Sequence, residues 1–345
     1  METVPAVAVV IPTYNRRSLL ARAVISAAWQ TRPPSEIIIV DDASTDGTNE
    51  IIAQLHPHII KAGINLIYYR QAGRFGANAA RNLGISLATA PLIAFLDSDD
   101  LWHEHKLEFQ LHPSADLNGL HFSDRIKVDQ DFRVISYGLT RDSVGEDTIR
   151  SKNKIGPLSS VILPRLLLKE IHGFDENLKA CQDWDIYIRA LWHTKAYRTP
   201  HPLVAYFDTN IPRISNNFRS RIIAHSQIKR RYANNLPPVN KSGYYLNVGS
   251  DLERLGRRRL SRKFLLQYYI NEKKLYGPQK ILSLAHYWRR NRKKPIHTNL
   301  QVPVRQAEIY YQYLYQKISR ELDTMAALIV SDPKKGSISE DCSQS

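Results

Sequence analysis

An open α/β sheet of mostly parallel strands is the fold this sequence predicts, and three observations carry the expectation. Short β-branched runs alternate with helical patterns through the first hundred residues. The first of them, Val7 to Ile11, is apolar throughout rather than at every second residue, as a strand covered on both faces requires. Each run also ends in polar or acidic residues, and in open α/β sheets ligands bind beyond the carboxyl ends of the strands.

The elements follow in order. Val7 to Ile11 is a continuous apolar run stopped by Pro12, the pattern of a buried parallel strand. Ser18 is placed to cap a helix to Gln30, in which Leu19, Leu20, Ala23, Val24 and Ala27 recur at helical spacing. Ile37 to Val40 is a second strand that runs into Asp41 and Asp42; Asp46-Gly47 is a turn, and Thr48 to Leu55 a helix. Asn65 to Tyr69 predicts the third strand, Gly76 to Ala88 an Ala-rich helix, and Leu92 to Leu96 the fourth strand. Beyond Asp100 the alternation breaks down. Gly119 to Phe122 and Arg125 to Ile135 predict shorter antiparallel strands, Arg141 to Pro157 a polar loop, and Val161 to Leu163 a strand followed by a helix over Arg165 to Ile171. Gln182 to Trp192 is a helix, and Leu203 to Phe207 the last strand.

From about Asn217 the chain turns helical, basic and Tyr-rich, with segments over Ser220–Asn234, Tyr244–Leu255, Ser261–Leu275, Pro278–Arg290 and Val304–Ala327. The expected division is therefore a sheet domain over 1–216, with halves at about 1–100 and 101–216, a helical region over 217–330 and a disordered tail over 331–345. The formal charge is +15, and Asp251 to Lys294 holds 14 Lys and Arg against 3 acids, or +11. Most of the excess thus lies in one late segment, which suits peripheral contact with an anionic membrane surface as well as it suits a solvated helix face. No recognised nucleic-acid motif accompanies it, so nucleic acid is not an expected partner. Two cysteines make no disulfide framework, the N-terminus has no basic leader, and no run approaches the ~18 apolar residues of a spanning helix. A cytoplasmic protein, at most resting on the membrane's inner face, is the expectation.

The chemistry centres on Ile93 to Asp100, where apolar residues deliver Asp97, Asp99 and Asp100 to the sheet edge. Desolvated and unpaired, such charges are costly, so a cation, a hydrogen-bonding partner or solvent must meet them there. Two carboxylates one residue apart at a strand exit suit Mg²⁺ or Mn²⁺, which take one or two carboxylates and complete their coordination with phosphate and water. For that tripeptide taken alone, a capped turn is an equal reading. His103, His105, His112 and His121 fall at no ligand spacing and are read as surface or satisfied histidines.

Taken together, Pro12-Thr13-Tyr14-Asn15-Arg16, Val40 to Asp46, Arg74 to Asn82 and Asp97-Ser98-Asp99-Asp100 resemble family 2 of the inverting glycosyltransferases, which have the GT-A fold. The resemblance covers about Val7 to Asn216. It implies a metal-dependent enzyme moving a sugar from a nucleotide-diphosphate sugar, UDP-linked by preference, to a hydroxyl of a saccharide or lipid-linked saccharide. By similarity, Thr13, Tyr14, Asn15, Asp42 and Arg74 surround the nucleoside, Asp97 faces the ribose or diphosphate, and Asp99 is the metal ligand with Asp100 behind it. Arg81 and Asn82 face the cleft or its wet side. Gly76 with its neighbouring alanines reads as close helix-to-sheet packing.

An inverting transfer needs one general base. Where the family carries an acidic pair before Trp, this chain has Gln182-Asp183, so Asp183 matches the base and the departure falls on its neighbour. A helix start there is expected to help keep Asp183 ionised; an N-cap role is the structural counterpart, and Asp185 reads as a first-turn acid. Trp184 is acceptor-pocket wall or core. Gly173-Phe174-Asp175 and Ser159-Ser160 match the acceptor side, and Arg213 with Ser215 falls where a loop could close over the diphosphate. The Gln182 departure leaves one alternative, an inactive nucleotide-sugar-binding module on the same fold.

Overall fold

The computed structural model describes residues 5–112, 115–129, 133–138, 144–207, 217–233, 236 and 241–276, with 310, 311, 313, 316, 317 and 320. Strands β1 (Val7–Thr13), β2 (Glu36–Asp41), β3 (Asn65–Arg70) and β4 (Leu92–Phe95) alternate with helices α1 (Arg17–Ala28), α2 (Thr48–Lys61) and α3 (Ala77–Leu87). All four strands run parallel, in the order β3-β2-β1-β4. The side-chain period of two sends Val7, Val9 and Ile11 into one core and Ala8 and Val10 into another. The first core holds Leu20, Val24, Ile52 and Leu55 of α1 and α2, and the second Ala80 and Ile85 of α3. This double burial is why β1, β2 and β4 read as apolar runs; β3, at the sheet edge, leaves Asn65, Tyr69 and Arg70 exposed.

The second half adds β5 (Leu101–Trp102), α4 (Lys106–Gln110), β6 (Leu120–Val128), β7 (Val134–Gly138), α5 (Glu146–Ser151), β8 (Val161–Pro164), α6 (Arg165–Glu170), α7 (Gln182–Ala190) and β9 (Ala196–Phe207). The sheet continues β4-β8-β6-β9-β5, with β7 on β6. The junctions β4–β8, β8–β6, β6–β7 and β9–β5 are antiparallel, whereas β6 and β9 are parallel. Helices α8 (Phe218–Tyr232), α9 (Ser242–Arg254) and α10 (Arg258–Tyr276) follow. The expected helix over Pro278–Arg290, the tail over 331–345, and Arg213 with Ser215 lie outside the described residues. Among the described residues no helix is long and apolar enough to cross a membrane.

Several boundaries differ from the sequence reading, each for a physical reason. Pro12 does not stop β1: it pairs in register with Val40, and it lies past the last β4 pair, Phe95↔Val10, where that ladder no longer needs its missing N–H. Ser18 does not cap α1; the Arg17 N–H donates to Asp46 Oδ2 at 2.9 Å, so the cap comes from the β2 loop. Helix α2 runs on through Pro57 to Lys61 because Ile59 still joins the buried stripe of Ile52 and Leu55. The residues expected as two strands from Gly119 to Ile135 form one long β6, held by β9 along its length, and β7. A helix, α5, interrupts the loop expected over Arg141 to Pro157, and Trp184 rests against it through an Nε1–H bond to Ile149 O.

Gly76 likewise departs from expectation. It precedes α3 at φ +95° with open space around it, so it supplies a backbone conformation rather than close packing. The close approach is at Gly84, where an added Cβ would stand 2.4 Å from Val10 Cγ1. Gly84→Val should therefore push α3 off β1, costing about 1–3 kcal/mol and lowering the thermal unfolding midpoint by several degrees. An unchanged midpoint would contradict this packing.

Candidate active site

A cavity of about 760 Å³ opens at the carboxyl ends of the parallel strands. Thr13, Tyr14, Asp42, Arg74, Arg81, Asp97, Asp99, Asp183 and Trp184 all line it. The chain passes directly from β1 to Thr13 and Tyr14, from β2 to Asp42 and from β4 to Asp97 and Asp99, while α7 brings Asp183 from far along the sequence.

The strand ends are tied to one another. Both oxygens of the buried Asp42 accept backbone N–H groups, from Phe75 at 2.7 Å and Gly76 at 3.0 Å, so this carboxylate shapes the loop that leads into α3. That loop holds the Arg74 guanidinium 3.8 Å from the centroid of the Tyr14 ring, a cation–π contact at the cavity wall. Asn15 is exposed, at φ 48°, and clamps the β1 loop to the β2 loop: its N–H donates to Ser44 Oγ and its Oδ1 accepts from Thr45 N, each at 2.8 Å. It is not among the residues lining the cavity. Asp41 accepts from Ser44 N and the Tyr68 hydroxyl, and Asp46 from Arg17 and Thr48, so both carboxylates are spent on holding the turn after β2.

At the end of β4 each carboxylate has its own partner. Arg81, itself buried, reaches Asp97 Oδ1 at 2.7 Å, and Arg16 reaches Asp99 Oδ2 at 3.2 Å. Asp100 faces inward: its Oδ2 accepts the Ser159 hydroxyl at 2.6 Å, and Ser159 Oγ accepts the Asp97 N–H. Ser159 thus pins the turn that presents Asp97 and Asp99. Two buried polar atoms of lining residues, Thr13 Oγ1 and Arg81 Nε, have no hydrogen-bond partner among the described residues. Such atoms are costly to leave unsatisfied, which suits a polar ligand in this cavity. Asn82 is spent elsewhere, bonding both the N–H and the carbonyl of Phe174.

Helix α7 starts at Gln182 after Cys181, whose φ of 57° turns the chain, and no side chain caps it. Asp183 is therefore a first-turn residue. Its Oδ1 accepts the Trp184 N–H at 2.8 Å and its Oδ2 accepts the Asn153 amide at 2.9 Å. Burial pushes its carboxyl up to about 6, with the nearby Asp97 adding to the rise; the Trp184 N–H and Arg81 pull the other way and do not cancel it. The helix start is expected to help keep Asp183 ionised; burial raises its carboxyl, yet at about 6 it is still mostly ionised at neutral pH. Asp185 is a structural tie, bonded to Arg189 at 2.6 Å and to the Tyr232 hydroxyl at 2.6 Å. The Trp184 ring is buried in the core, stacked on Tyr244 with centroids 4.8 Å apart, and also backs the cavity.

Lining residues to which the sequence reading gave no role include Asn153, Arg16 and Arg125. Asn153 lies in a segment with no periodic signal, and only its side-chain bonds to Asp183, Ile155 and Gly156 reveal it.

Residues 8–151 match the family described as Glycosyl transferase family 2. They belong to that family. The chain is 43% identical over 107 residues to the putative teichuronic acid biosynthesis glycosyltransferase TuaG of Bacillus subtilis (strain 168), a match covering 31% of this chain and 41% of that protein. It is 43% identical over 187 residues to an uncharacterized glycosyltransferase of Rickettsia conorii (strain ATCC VR-613 / Malish 7), covering 53% of this chain and 29% of the other. The chain thus spans less than half the length of both relatives. Two solved structures share the GT-A fold at 18% identity: S. aureus TarS 1-349, with a TM-score of 0.53 over 73% of each chain, and the mannosyltransferase PcManGT from Pyrobaculum calidifontis, with a TM-score of 0.54 over 96% of this chain and 89% of the other.

Carbon-13 NMR of aspartate-labelled protein should find one carboxyl, absent from Asp183→Asn, that titrates near pH 6. Replacing Asn153 by Ala removes a donor to the ionised form and should move that midpoint higher. A midpoint near the ordinary value of about 4 would contradict the burial of Asp183.

Proposed function

We propose that the chain is an inverting glycosyltransferase that moves a sugar from a nucleotide-diphosphate donor to a hydroxyl of a saccharide or lipid-linked saccharide in cell-surface polysaccharide synthesis. One observation carries this reading: a single cavity joins polar groups from three parallel strand ends to one part-buried carboxylate, Asp183, raised to about 6. TuaG bears a teichuronic acid biosynthesis name, TarS has been solved with UDP-GlcNAc, and PcManGT with GDP-Man and Mn²⁺. A nucleotide diphosphate is common to the two solved complexes.

In this reading Tyr14, Thr13 and Arg74 receive the nucleoside, with Asp42 fixing the loop between them. Asp97 and Asp99 lie toward the diphosphate. Among the described residues no group of three or more His, Cys, Asp or Glu is placed to hold a metal ion. The donor set still fits Mg²⁺ or Mn²⁺, because two hard carboxylates line the cavity and such ions complete their coordination with phosphate oxygens and water. A divalent cation held there by Asp99, with Asp97 beside it, would neutralise charge on the departing diphosphate. Arg16 and Arg81, already bonded to these carboxylates, hold them oriented.

Asp183 accepts the proton of the attacking hydroxyl as its oxygen bonds to the anomeric carbon and the bond to the diphosphate oxygen breaks. A carboxyl near 6 is ionised at pH 7 yet more basic than an exposed aspartate, which suits that task. Asn153 and the Trp184 N–H hold the carboxylate in place.

Asp183→Asn should lower transfer by about 10²–10⁴-fold while nucleotide-sugar binding, read by calorimetry, persists. Full transfer in that variant would remove Asp183 from the chemistry; binding without transfer in the wild type would instead favour the binding module. Chelation with EDTA, or Asp99→Asn, should weaken UDP-sugar binding by about tenfold or more, and added Mn²⁺ should restore it only in the chelated wild type.

A further inference from the structure

Beyond the donor end, the cavity wall is built from the paired strands β6 and β7. Arg125 and Lys127, two residues apart on β6, share one face, and their partners on β7 are Gly138 and Ser136. All four line the cavity with Asp183. Arg125 occupies a slot shaped for it. A Cβ at Gly138 would stand 2.5 Å from its Cζ, and one at Gly156, itself at φ +107°, would stand 2.2 Å from Nη1. Two glycines therefore flank the guanidinium, and no side chain larger than hydrogen fits at either position without displacing it.

Among the described residues Arg125 makes one hydrogen bond, from Nη1 to Ile155 O at 3.2 Å, and no ion pair. Asp124, next to it, is committed to Arg198 on the buried side. From residue 125 onward Asp183 is the one carboxylate among the described lining residues, against Arg125 and Lys127; Arg221, also in the lining, is paired with the buried Asp251 at 3.1 Å. A half-buried guanidinium without a bonded counter-ion is costly, and its planar fork is suited to bidentate contact with a carboxylate or phosphate.

We propose that the face formed by Arg125 and Lys127 is an acceptor subsite for an anionic group, so that the acceptor carries a carboxylate or phosphate close to the hydroxyl that attacks. The site rests on the glycosyltransferase reading of the cavity and adds the substrate class of its second ligand. It also explains the linkage of parts: Ile155 O, which Arg125 contacts, and Asn153, which holds Asp183, lie on the same 153–156 turn. An anion on Arg125 is thereby set in register with the base.

Thermal-shift titrations of the full chain with UDP and Mn²⁺ present, so that the donor end is filled, test this with four probes: methyl β-glucuronide, glycerol 3-phosphate, and their neutral counterparts methyl β-glucoside and glycerol. The anionic probes should raise the midpoint and the neutral ones should not. The glucuronide and phosphate arms tell the two anion sources apart. Arg125→Gln should weaken the effective anion by about tenfold or more while leaving the UDP–Mn²⁺ shift as in the wild type. Lys127→Gln, which leaves the glycine slot filled, should weaken it as well and serves if the Arg125 variant does not fold. Equal shifts from charged and neutral probes, or an anion effect that survives both substitutions, would overturn the subsite. Loss of the UDP–Mn²⁺ shift in the wild type would instead count against the donor reading.

Discussion

Carboxylates at the carboxyl ends of buried strands can be kept only if each is met by a donor, and the molecule around the cavity is arranged to meet them. Asp42 takes two backbone N–H groups, Asp97 takes Arg81, Asp99 takes Arg16, and Asp100 takes the Ser159 hydroxyl. Each partner comes from another element, so the contacts that compensate the charge also fix the loops that carry it. The helix α3, the loop before it and the turn after β4 are in this sense one bonded unit. Asp183 differs in kind: its two bonded donors, Asn153 and the Trp184 N–H, are neutral, and burial raises its carboxyl to about 6.

That difference is the basis for dividing the cavity into two ends. Paired carboxylates with arginines beside them suit binding, where the ionised form must persist. A part-buried carboxylate with two neutral donors suits proton transfer, where both forms must be accessible. The lack of a side chain at Gly138 and Gly156 extends the same logic to the far wall, since it leaves room for a guanidinium that has no carboxylate bonded to it among the described residues.

Much of the first half was legible in the sequence because double burial writes itself as apolar runs, and β1, β2 and β4 each carry one, while the edge strand β3 is partly exposed. The acids at their ends were legible for the same reason, standing out against those runs. The second half was not. The pairing of β6 with β9 joins segments some 75 residues apart, as in Leu120↔Ala196, and no local pattern encodes such a register. Caps supplied across the fold were equally hidden: Asp46 serves α1 in place of Ser18. Chemical type alone does not reveal a side chain's partner. Asn15 and Asn82 spend their amides on backbone, whereas Asn153, in a stretch read as loop, holds Asp183. The sign of the Asp183 shift likewise depends on how much protein surrounds it, which a helix start in sequence does not disclose.

The proposed transfer is a single displacement in which Asp183 activates the acceptor on one side while the diphosphate departs at the strand ends. Proton NMR of the first product formed from an α-linked UDP-sugar reads this directly through the anomeric coupling constant. A β-linked product is the predicted result; an α-linked product would contradict it, since one displacement at the anomeric carbon cannot retain configuration.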